Sequence, residues 1–185
     1  MDRTEENILA LLNDKPEEAI SLMYDKYFQF LAKVAFRILR DEAKTQDIVQ
    51  NVFIDIWKKR EGLEVKSSFR QYLRKAAVNK SLNILRSDKK ERDEHYVIED
   101  IQVAELGDQS SILETEELKQ KINEAIESLP ERCRLIFSLS RFESMTYKEI
   151  AEKLEISVKT VENQMTKALK IMRFKIIESN NIDNK

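Results

Sequence analysis

Residues 146–172, TYKEIAEKLEISVKTVENQMTKALKIM, contain the start signals of two consecutive helices. Thr146 and Glu149 can form a capping box, in which each side chain bonds to the backbone N–H of the other residue. Ser157 can cap the second helix. Only Glu155 and Ile156 separate the expected end of the first helix from this second cap. Such a spacing predicts a helix-turn-helix.

The second of these helices is amphipathic. Its inward face is predicted to carry Val158, Val161, Met165, Ala168, Leu169 and Met172. Its outward face, the candidate DNA-binding set, consists of Ser157, Lys159, Thr160, Glu162, Asn163, Thr166 and Lys167. Lysine can contact phosphates or guanine, asparagine can bond adenine, and threonine can contact a thymine methyl group. The pattern favours a recognition helix, and an ordinary helical hairpin with a solvated face is the alternative.

The residues around this motif complete a small helical domain, predicted over residues 114–178, with residues 179–185 as a disordered tail. An acidic first turn at residues 114–117 suits a helix N-terminus. Pro130 can begin the next helix. That helix carries Cys133, which we expect to be a small core residue.

The composition predicts an all-α protein. The chain has 185 residues, of which 2 are Gly and 2 are Pro, too few for the many tight turns of an all-β or doubly wound fold. The single cysteine and the single histidine leave no disulfide and no cysteine or histidine pair for a metal. No glycine-rich phosphate loop or catalytic nucleophile motif is present. We therefore expect no metal, no cofactor and no enzymatic activity.

The start of the chain, MDRTEENILA, lacks the basic and apolar segments of a signal peptide. No run of 18 apolar residues occurs anywhere in the sequence. The sequence therefore predicts a soluble cytoplasmic protein without direct membrane insertion.

Charge is strongly segregated along the chain, although the net charge is only −2. Residues 66–92 carry nine basic and two acidic side chains, a local charge of +7. Residues 93–117 carry nine acidic side chains and no Lys or Arg, a local charge of −9. Sparse apolar residues and a closing Gly and Ser stretch predict a flexible acidic linker over residues 93–113, after a first helical domain over residues 1–92. Solvated helix faces and a solvated tether are the simpler explanation of these charges.

The first domain is predicted to contain four helical segments. Asp14 is placed to cap the second segment, and Asp41 can cap the third, over residues 42–60. Ser68 and Gln71 can form the capping box of the basic helix that follows.

The third helix of this domain has two contrasting faces. Its predicted core face consists of Ile48, Val49, Val52, Phe53, Ile56 and Trp57. Ile54 falls outside that half-circle and is surrounded by acid and amide side chains. An apolar centre with a polar rim is typical of a protein-docking patch, and a scattered exposed isoleucine is the simpler alternative.

The order of these segments resembles bacterial RNA polymerase sigma factors of the extracytoplasmic-function group. The resemblance covers about residues 8–175 and rests on TQDIVQNVFIDIW, FRQYLRKAAVNKSLNILR, the acidic linker and LPERCRLIFSLSRFESMTYKEIAEKLEISVKTVENQMTKALKIMR. It implies that the first domain, region 2, docks on the clamp helices of core RNA polymerase and opens the minus-ten promoter element. The second domain, region 4, would hold the polymerase flap and contact the minus-thirty-five element.

The resemblance also implies roles for individual residues. The polymerase-docking helix would present Asp47, Gln50, Asn51, Ile54 and Asp55. The minus-ten contacts would come from Lys66, Arg70, Arg74, Lys75, Asn79, Lys80, Asn83 and Arg86. Residues 61–68 correspond to the loop that holds a base flipped from the non-template strand. The family further implies an anti-sigma protein as a partner, often one that is membrane-anchored.

Two positions depart from the family pattern, because Ser144 and Glu155 stand where glycine is usual. A left-handed backbone at Glu155 is costly without Gly or Asn, so we expect a local adjustment of the turn. Two-component response regulators share the helix-turn-helix but lack the DIVQNVFIDIW and AAVN segments. A stand-alone helix-turn-helix regulator is the alternative function, and a helical scaffold that binds only protein is a third.

Overall fold

The chain folds as two compact helical units, residues 1–94 and 95–185. The computed structural model describes residues 3–63, 65, 68–91 and 116–182, with the side chains of residues 5–63, 65, 68–88 and 118–177. These described residues form eight α-helices and one 3₁₀ turn, and they contain no strand. The all-α prediction is therefore confirmed. The predicted linker over residues 93–113 and Lys66 lie outside the described residues.

The first unit is built around one central helix. Its elements are α1 (Arg3–Asp14), α2 (Pro16–Leu39), α3 (Glu42–Lys59), a 3₁₀ turn (Arg60–Gly62) and α4 (Phe69–Glu91). Helix α2 packs against α1, α3 and α4. The side chains that fill the space between these helices include Ile8, Leu12, Met23, Leu31, Ile48, Ile56, Phe69, Leu73 and Leu82, all almost completely buried. Burying each of them stabilises the unit by about 1.5–3 kcal/mol.

Two of the three predicted caps in this unit are present. The side chain of Asp41 accepts a hydrogen bond from the backbone N–H of Lys44 at 3.0 Å, and Ser68 Oγ accepts one from the N–H of Gln71 at 3.2 Å. The cap predicted at Asp14 is wrong, because Asp14 is the last residue of α1 and Lys15 occupies the N-cap of α2. No side-chain bond forms there, since proline at the first position removes one of the N–H groups that need a partner.

Trp57 departs from its predicted role as core filling. Its side chain is only half-buried. The guanidinium of Arg60 lies over the indole ring at 5.3 Å, and Arg60 Nη1 donates to the carbonyl oxygen of Trp57 at 2.8 Å. The 3₁₀ turn that follows α3 is therefore attached to the last turn of α3 by a cation–π contact.

The second unit is organised around its last helix. Its elements are α5 (Glu116–Glu127), α6 (Glu131–Arg141), α7 (Tyr147–Leu154) and α8 (Val158–Ile182). Helix α8 packs against the other three. The core between them includes Ala125, Leu129, Cys133, Ile136, Leu139, Ile150, Val161, Met165, Ala168 and Met172.

Helix α8 differs from its prediction at two side chains and at its end. Val158 and Leu169, both predicted to face inward, are 38% and 45% exposed. Val158 is the first residue of the helix. Leu169 directly follows the buried Ala168 and lies at the edge of the buried face. The helix continues to Ile182, into the segment predicted to be a disordered tail after residue 178.

The turn between α7 and α8 keeps the predicted helix-turn-helix geometry. Thr146 and Glu149 form the complete capping box of α7. Glu155 ends α7 in the left-handed conformation, with φ 54 and ψ 47, and its N–H bonds to the carbonyl oxygens of Ala151 and Glu152. Ser144 also has a positive φ of 55. The expected local adjustment is absent, because both residues adopt the backbone that a glycine would take.

Candidate functional site

The outer face of α3 presents a polar surface with one apolar side chain at its centre. Asp47, Gln50 and Asn51 are exposed. Ile54 is 45% exposed, whereas Ile56 on the opposite face is 1% exposed. The predicted position of Ile54 outside the core is therefore confirmed. We call the surface formed by Asp47, Gln50, Asn51, Ile54 and Asp55 the α3 face.

Asp55 of the α3 face has an ion-pair partner on another helix. Its Oδ2 lies 2.8 Å from Nζ of Lys80 on α4, and the two side chains are 43% and 29% exposed. A second ion pair joins the same two helices, with the cation on α3 and the carboxylate on α4. Nζ of Lys44 lies 2.6 Å from Oδ2 of Asp88. These two pairs join helix α3 to the basic helix α4.

Helix α4 presents amide and basic side chains along one side. Lys75, Asn79 and Asn83 recur at intervals of four residues, which places them on one face, and all three are exposed. Arg74 and Arg86 flank them and are half-buried. Leu73, Ala77 and Leu82 on the other side are buried. We call this exposed side the α4 face.

Arg70 lies in the first turn of α4, on the side that meets α2 rather than in the row of Lys75, Asn79 and Asn83. Its guanidinium lies over the ring of Phe30 on α2, 4.2 Å from the ring centroid. A cation–π contact of this kind attracts the guanidinium to the ring face, and the N–H groups that do not face the ring can still donate hydrogen bonds. Arg70 itself is exposed, so it can still meet a phosphate.

The positive charge of α4 is partly compensated within the unit, because Lys80 is paired with Asp55. An exposed ion pair contributes only about 0–1 kcal/mol. A phosphate can therefore replace the carboxylate at Lys80 with little loss. We interpret Lys80 as a cation held near the α4 face rather than one fixed in the core.

The exposed start of α8 carries the predicted recognition residues. Ser157, Lys159, Glu162, Asn163 and Thr166 are exposed, while Thr160 and Lys167 are half-buried. We call this set the α8 face.

Three hydroxyl groups of the α8 face are used within the helix. Ser157 Oγ accepts from the N–H of Thr160 at 3.0 Å and lies 2.8 Å from the Thr160 hydroxyl. Thr166 Oγ1 donates to the carbonyl oxygen of Glu162 at 2.9 Å. Ser157 and Thr160 therefore form the cap of α8. Lys159 and Asn163 are exposed in the first two turns of the same helix.

A charged neighbour orients Lys159. Its Nζ lies 3.6 Å from Oε2 of Glu162, in a pair exposed to solvent. Such a pair adds little stability, but it keeps the ammonium group on the exposed side of the first two turns. Recognition helices contact bases mainly through residues in their N-terminal part, where Lys159 lies.

Helix α8 is joined to α6 by a hydrogen bond that the sequence did not predict. Cys133 Sγ donates to Oε1 of Gln164 at 3.0 Å. Burial raises the pKa of the Cys133 thiol, against the smaller opposing effects of Lys167 and Arg132, so the thiol is protonated and able to donate at neutral pH. Gln164 gave no signal in the sequence, because one half-buried amide between two buried positions does not change the helical periodicity.

The described residues contain no group of three or more His, Cys, Asp or Glu side chains that could hold a metal ion. Among the helices of the described ranges, none combines the length and apolarity of a membrane span. The first unit carries the α3 and α4 faces, and the second unit carries the α8 face.

Two family models match the parts of the chain that carry these faces. The model described as Sigma-70 region 2 matches residues 23–91, which include the α3 and α4 faces. The model described as Sigma-70, region 4 matches residues 119–172, which include the α8 face. Together they match more than half of the chain.

Curated relatives are similar over nearly the whole chain. The RNA polymerase sigma-H factor of Pseudomonas aeruginosa is 24% identical over 160 residues, covering 82% of this chain and 83% of the relative. The ECF RNA polymerase sigma-E factor of Haemophilus influenzae is 24% identical over 181 residues, covering 94% and 95%. That of Escherichia coli is 24% identical over 174 residues, covering 89% and 90%.

Among solved structures, this chain is similar to CnrH in complex with the cytosolic domain of CnrY, with 20% identity and a TM-score of 0.47 over 97% of this chain and 99% of that chain. It is also similar to the sigma factor RpoE in complex with the anti-sigma factor NepR from Bartonella quintana. That likeness has 19% identity and a TM-score of 0.45, over 83% of this chain and 93% of that chain.

Proposed function

The chain belongs to the sigma-70 family of RNA polymerase sigma factors, in the extracytoplasmic-function group, and we propose that its three polar helix faces divide the work of promoter-directed transcription initiation. As a sigma factor it binds core RNA polymerase and directs initiation at specific promoters. The main support for these separate roles is that each matched segment has a helix with one polar, exposed face and one buried face.

The α3 face docks on the clamp helices of core polymerase. Ile54 supplies an apolar centre, and Asp47, Gln50 and Asn51 supply a polar rim that can bond to basic or amide groups. Interfaces commonly gain most of their affinity from a few central side chains that exclude water. Ile54 is therefore the residue on which core affinity depends most.

The α4 face contacts the minus-ten element and the opened non-template strand. Arg70, Lys75 and Lys80 supply cations for phosphates, and the amides of Asn79 and Asn83 supply donors and acceptors for unstacked bases. Opening a base step costs a few kcal/mol. Phosphate contacts that form only with the separated strand offset this cost.

The α8 face enters the major groove of the minus-thirty-five element. Asparagine forms a bidentate pair with adenine, lysine bonds to guanine, and a glutamate such as Glu162 can accept from the amino group of cytosine. The positive end of the helix dipole lies at the N-terminus of α8, next to the Ser157 cap, and favours a nearby phosphate.

The chain acts as an initiation factor, and we infer that it performs no chemical step of its own. Its action on RNA polymerase places it in the cytoplasm. An anti-sigma protein is the expected antagonist, by covering the α3 face or the region 4 unit so that core polymerase cannot bind.

Reconstitution with core polymerase tests this function. The purified chain should co-migrate with core polymerase and support transcripts from a subset of genomic promoters that core alone does not use. A chain that binds promoter DNA specifically without core polymerase, and adds no initiation to it, would be a stand-alone helix-turn-helix regulator. Failure to bind either partner would leave only the protein-binding scaffold.

A further inference from the structure

The carboxylate of Glu5 is buried, and among the side chains that the structure describes its contacts are with a hydroxyl and a backbone N–H rather than with a cation. The residue is 6% exposed. Its Oε1 accepts a hydrogen bond from the hydroxyl of Tyr27 at 2.9 Å and another from the backbone N–H of Arg70 at 3.3 Å. Arg70 is the second residue of α4. Glu5 therefore caps α4 from a helix that lies 65 residues earlier in the sequence.

A carboxylate is well suited to this position. The first N–H groups of a helix have no partner within the helix, and the helix dipole favours negative charge there. Ser68 satisfies the N–H of Gln71, and Glu5 satisfies that of Arg70. The first turn of α4 thus receives one local and one distant acceptor.

Neighbouring contacts hold the same turn against α2. Phe69 is completely buried, and its ring meets the ring of Tyr27 edge-on at 5.8 Å between centroids. The side chain of Arg70 lies on Phe30. Helix α1 also packs against the 3₁₀ turn at residues 60–62. It therefore contacts the chain both before and at the start of α4.

We propose that Glu5 is a positioning residue for promoter opening, a role that rests on the function proposed for the α4 face. By bonding to the N–H of Arg70 it fixes the first turn of α4, and so the direction in which Arg70 and the α4 face meet the separating strand. Helix α1 lies outside both matched family segments, which begin at residue 23 and residue 119.

The test compares two promoter templates and three variants in holoenzyme assembled with core polymerase. One template is a complete duplex, and the other is the same promoter with the minus-ten region already unpaired. Glu5→Ala removes both acceptor bonds. Glu5→Gln keeps an acceptor oxygen without the charge. Glu6→Ala is the matched control, because Glu6 is the exposed neighbour on the same helix.

The loss of a hydrogen bond to a charged acceptor is large enough to slow a step that depends on that bond by about ten-fold. Glu5→Ala should slow open-complex formation on the duplex by about ten-fold and change it less than about two-fold on the unpaired template, measured on both templates by how fast complexes able to make a short RNA product form. Glu5→Gln should slow the duplex reaction by about three-fold, and Glu6→Ala should match the wild type. Core affinity, measured by competition, should stay unchanged.

An equal loss on both templates would overturn the proposal, and so would a wild-type rate for Glu5→Ala on the duplex. If Glu5→Ala unfolds at the assay temperature, Glu5→Gln provides the test. A slowing confined to the duplex template would support the proposal, and a wild-type rate on the duplex would overturn it. A wild-type chain that makes RNA from neither template with core polymerase contradicts the proposed function instead.

Discussion

Lys80 on α4 and Asp55 on α3 form an ion pair with 2.8 Å between Nζ and Oδ2. The two residues belong to different surfaces, because Asp55 lies on the α3 face and Lys80 beside the α4 face. Each therefore reduces the charge that the other can offer to polymerase or to DNA. Both side chains are half-exposed, and because ion pairs open to solvent contribute only about 0–1 kcal/mol, we expect either partner to be exchanged when a stronger ligand arrives.

This pair predicts that a change at Asp55 alters strand binding through Lys80. Asp55→Asn should raise the affinity of the free chain for single-stranded minus-ten DNA by about two- to five-fold, the equivalent of a pair worth up to about 1 kcal/mol. In a Lys80→Gln background the same change should have little effect. Fluorescence anisotropy of labelled DNA measures all four variants as a double-mutant cycle.

The control for this cycle is Asp47→Asn, which removes an equal charge from an exposed position of the same helix. Its effect should be smaller and should not depend on Lys80. If Asp47→Asn and Asp55→Asn raise affinity equally, net charge alone explains the gain and the ion pair has no specific part in it.

Ile54→Arg is expected to weaken core binding by at least ten-fold, because a charge replaces the apolar centre of the docking face. Its melting temperature should stay close to that of the wild type, since Ile54 is 45% exposed. Ile56→Arg is the matched control. Ile56 is 1% exposed, so a buried charge there should unfold the first unit. A large fall in the melting temperature of Ile54→Arg would contradict its place in the interface.

Glu155→Gly should stabilise the second unit. Glu155 holds a left-handed backbone at φ 54, which costs a residue with a side chain about 1–2 kcal/mol that glycine avoids. Glu155→Ala is the control, because it removes the carboxylate but keeps the Cβ atom. We expect Glu155→Gly to be more stable than Glu155→Ala by about 1 kcal/mol in urea unfolding. Equal stability of the two variants would mean that the turn carries no such strain.

The helix-turn-helix could be predicted closely because its signals are local. A capping box and a helix N-cap each depend on residues three positions apart, and Thr146, Glu149 and Ser157 bond as the sequence indicates. The exposure of Ile54 followed from helical periodicity alone. These features require no knowledge of which helix packs on which.

Features that depend on packing between helices could not be predicted. The pairing of Lys80 with Asp55 and the capping of α4 by Glu5 join residues far apart in the sequence. Periodicity also misplaced Leu169, because a helical wheel does not tell how wide a face the neighbouring helices cover. Which polar residue meets which backbone group follows only from the assembled unit.

The stability of the second unit should fall at alkaline pH because of Cys133. Burial raises the pKa of its thiol above the ordinary value, so the folded state binds the proton more tightly than the unfolded state. The thiol's contribution is therefore complete below its unfolded pKa, about 8.5, and is lost as the pH rises through the folded pKa. Cys133→Ser keeps a donor for Gln164 but does not titrate there.

The measurement for Cys133 is the difference in unfolding free energy between wild type and Cys133→Ser from pH 7 to pH 10, with pH values chosen around the thiol's ordinary pKa of about 8.5. Comparing the two proteins removes the titration of lysines and tyrosines that they share. At the lower pH values the difference should be constant. At the higher pH values the wild type should lose stability relative to Cys133→Ser. A difference that is independent of pH would show that the thiol is not held protonated by burial.

The α8 and α4 faces should respond differently to substitution, because one contacts bases and the other contacts mainly phosphates. Asn163→Ala should change the preference among minus-thirty-five sequences, with the preferred base losing about 1–3 kcal/mol of discrimination. Lys75→Ala, at an exposed position of α4, should weaken open complexes on all promoters alike and lower the salt slope of binding by about one unit. Holoenzyme binding to a library of upstream sequences, repeated over a salt titration, measures both. A uniform loss for Asn163→Ala together with a sequence-dependent loss for Lys75→Ala would reverse the assignment of the two faces.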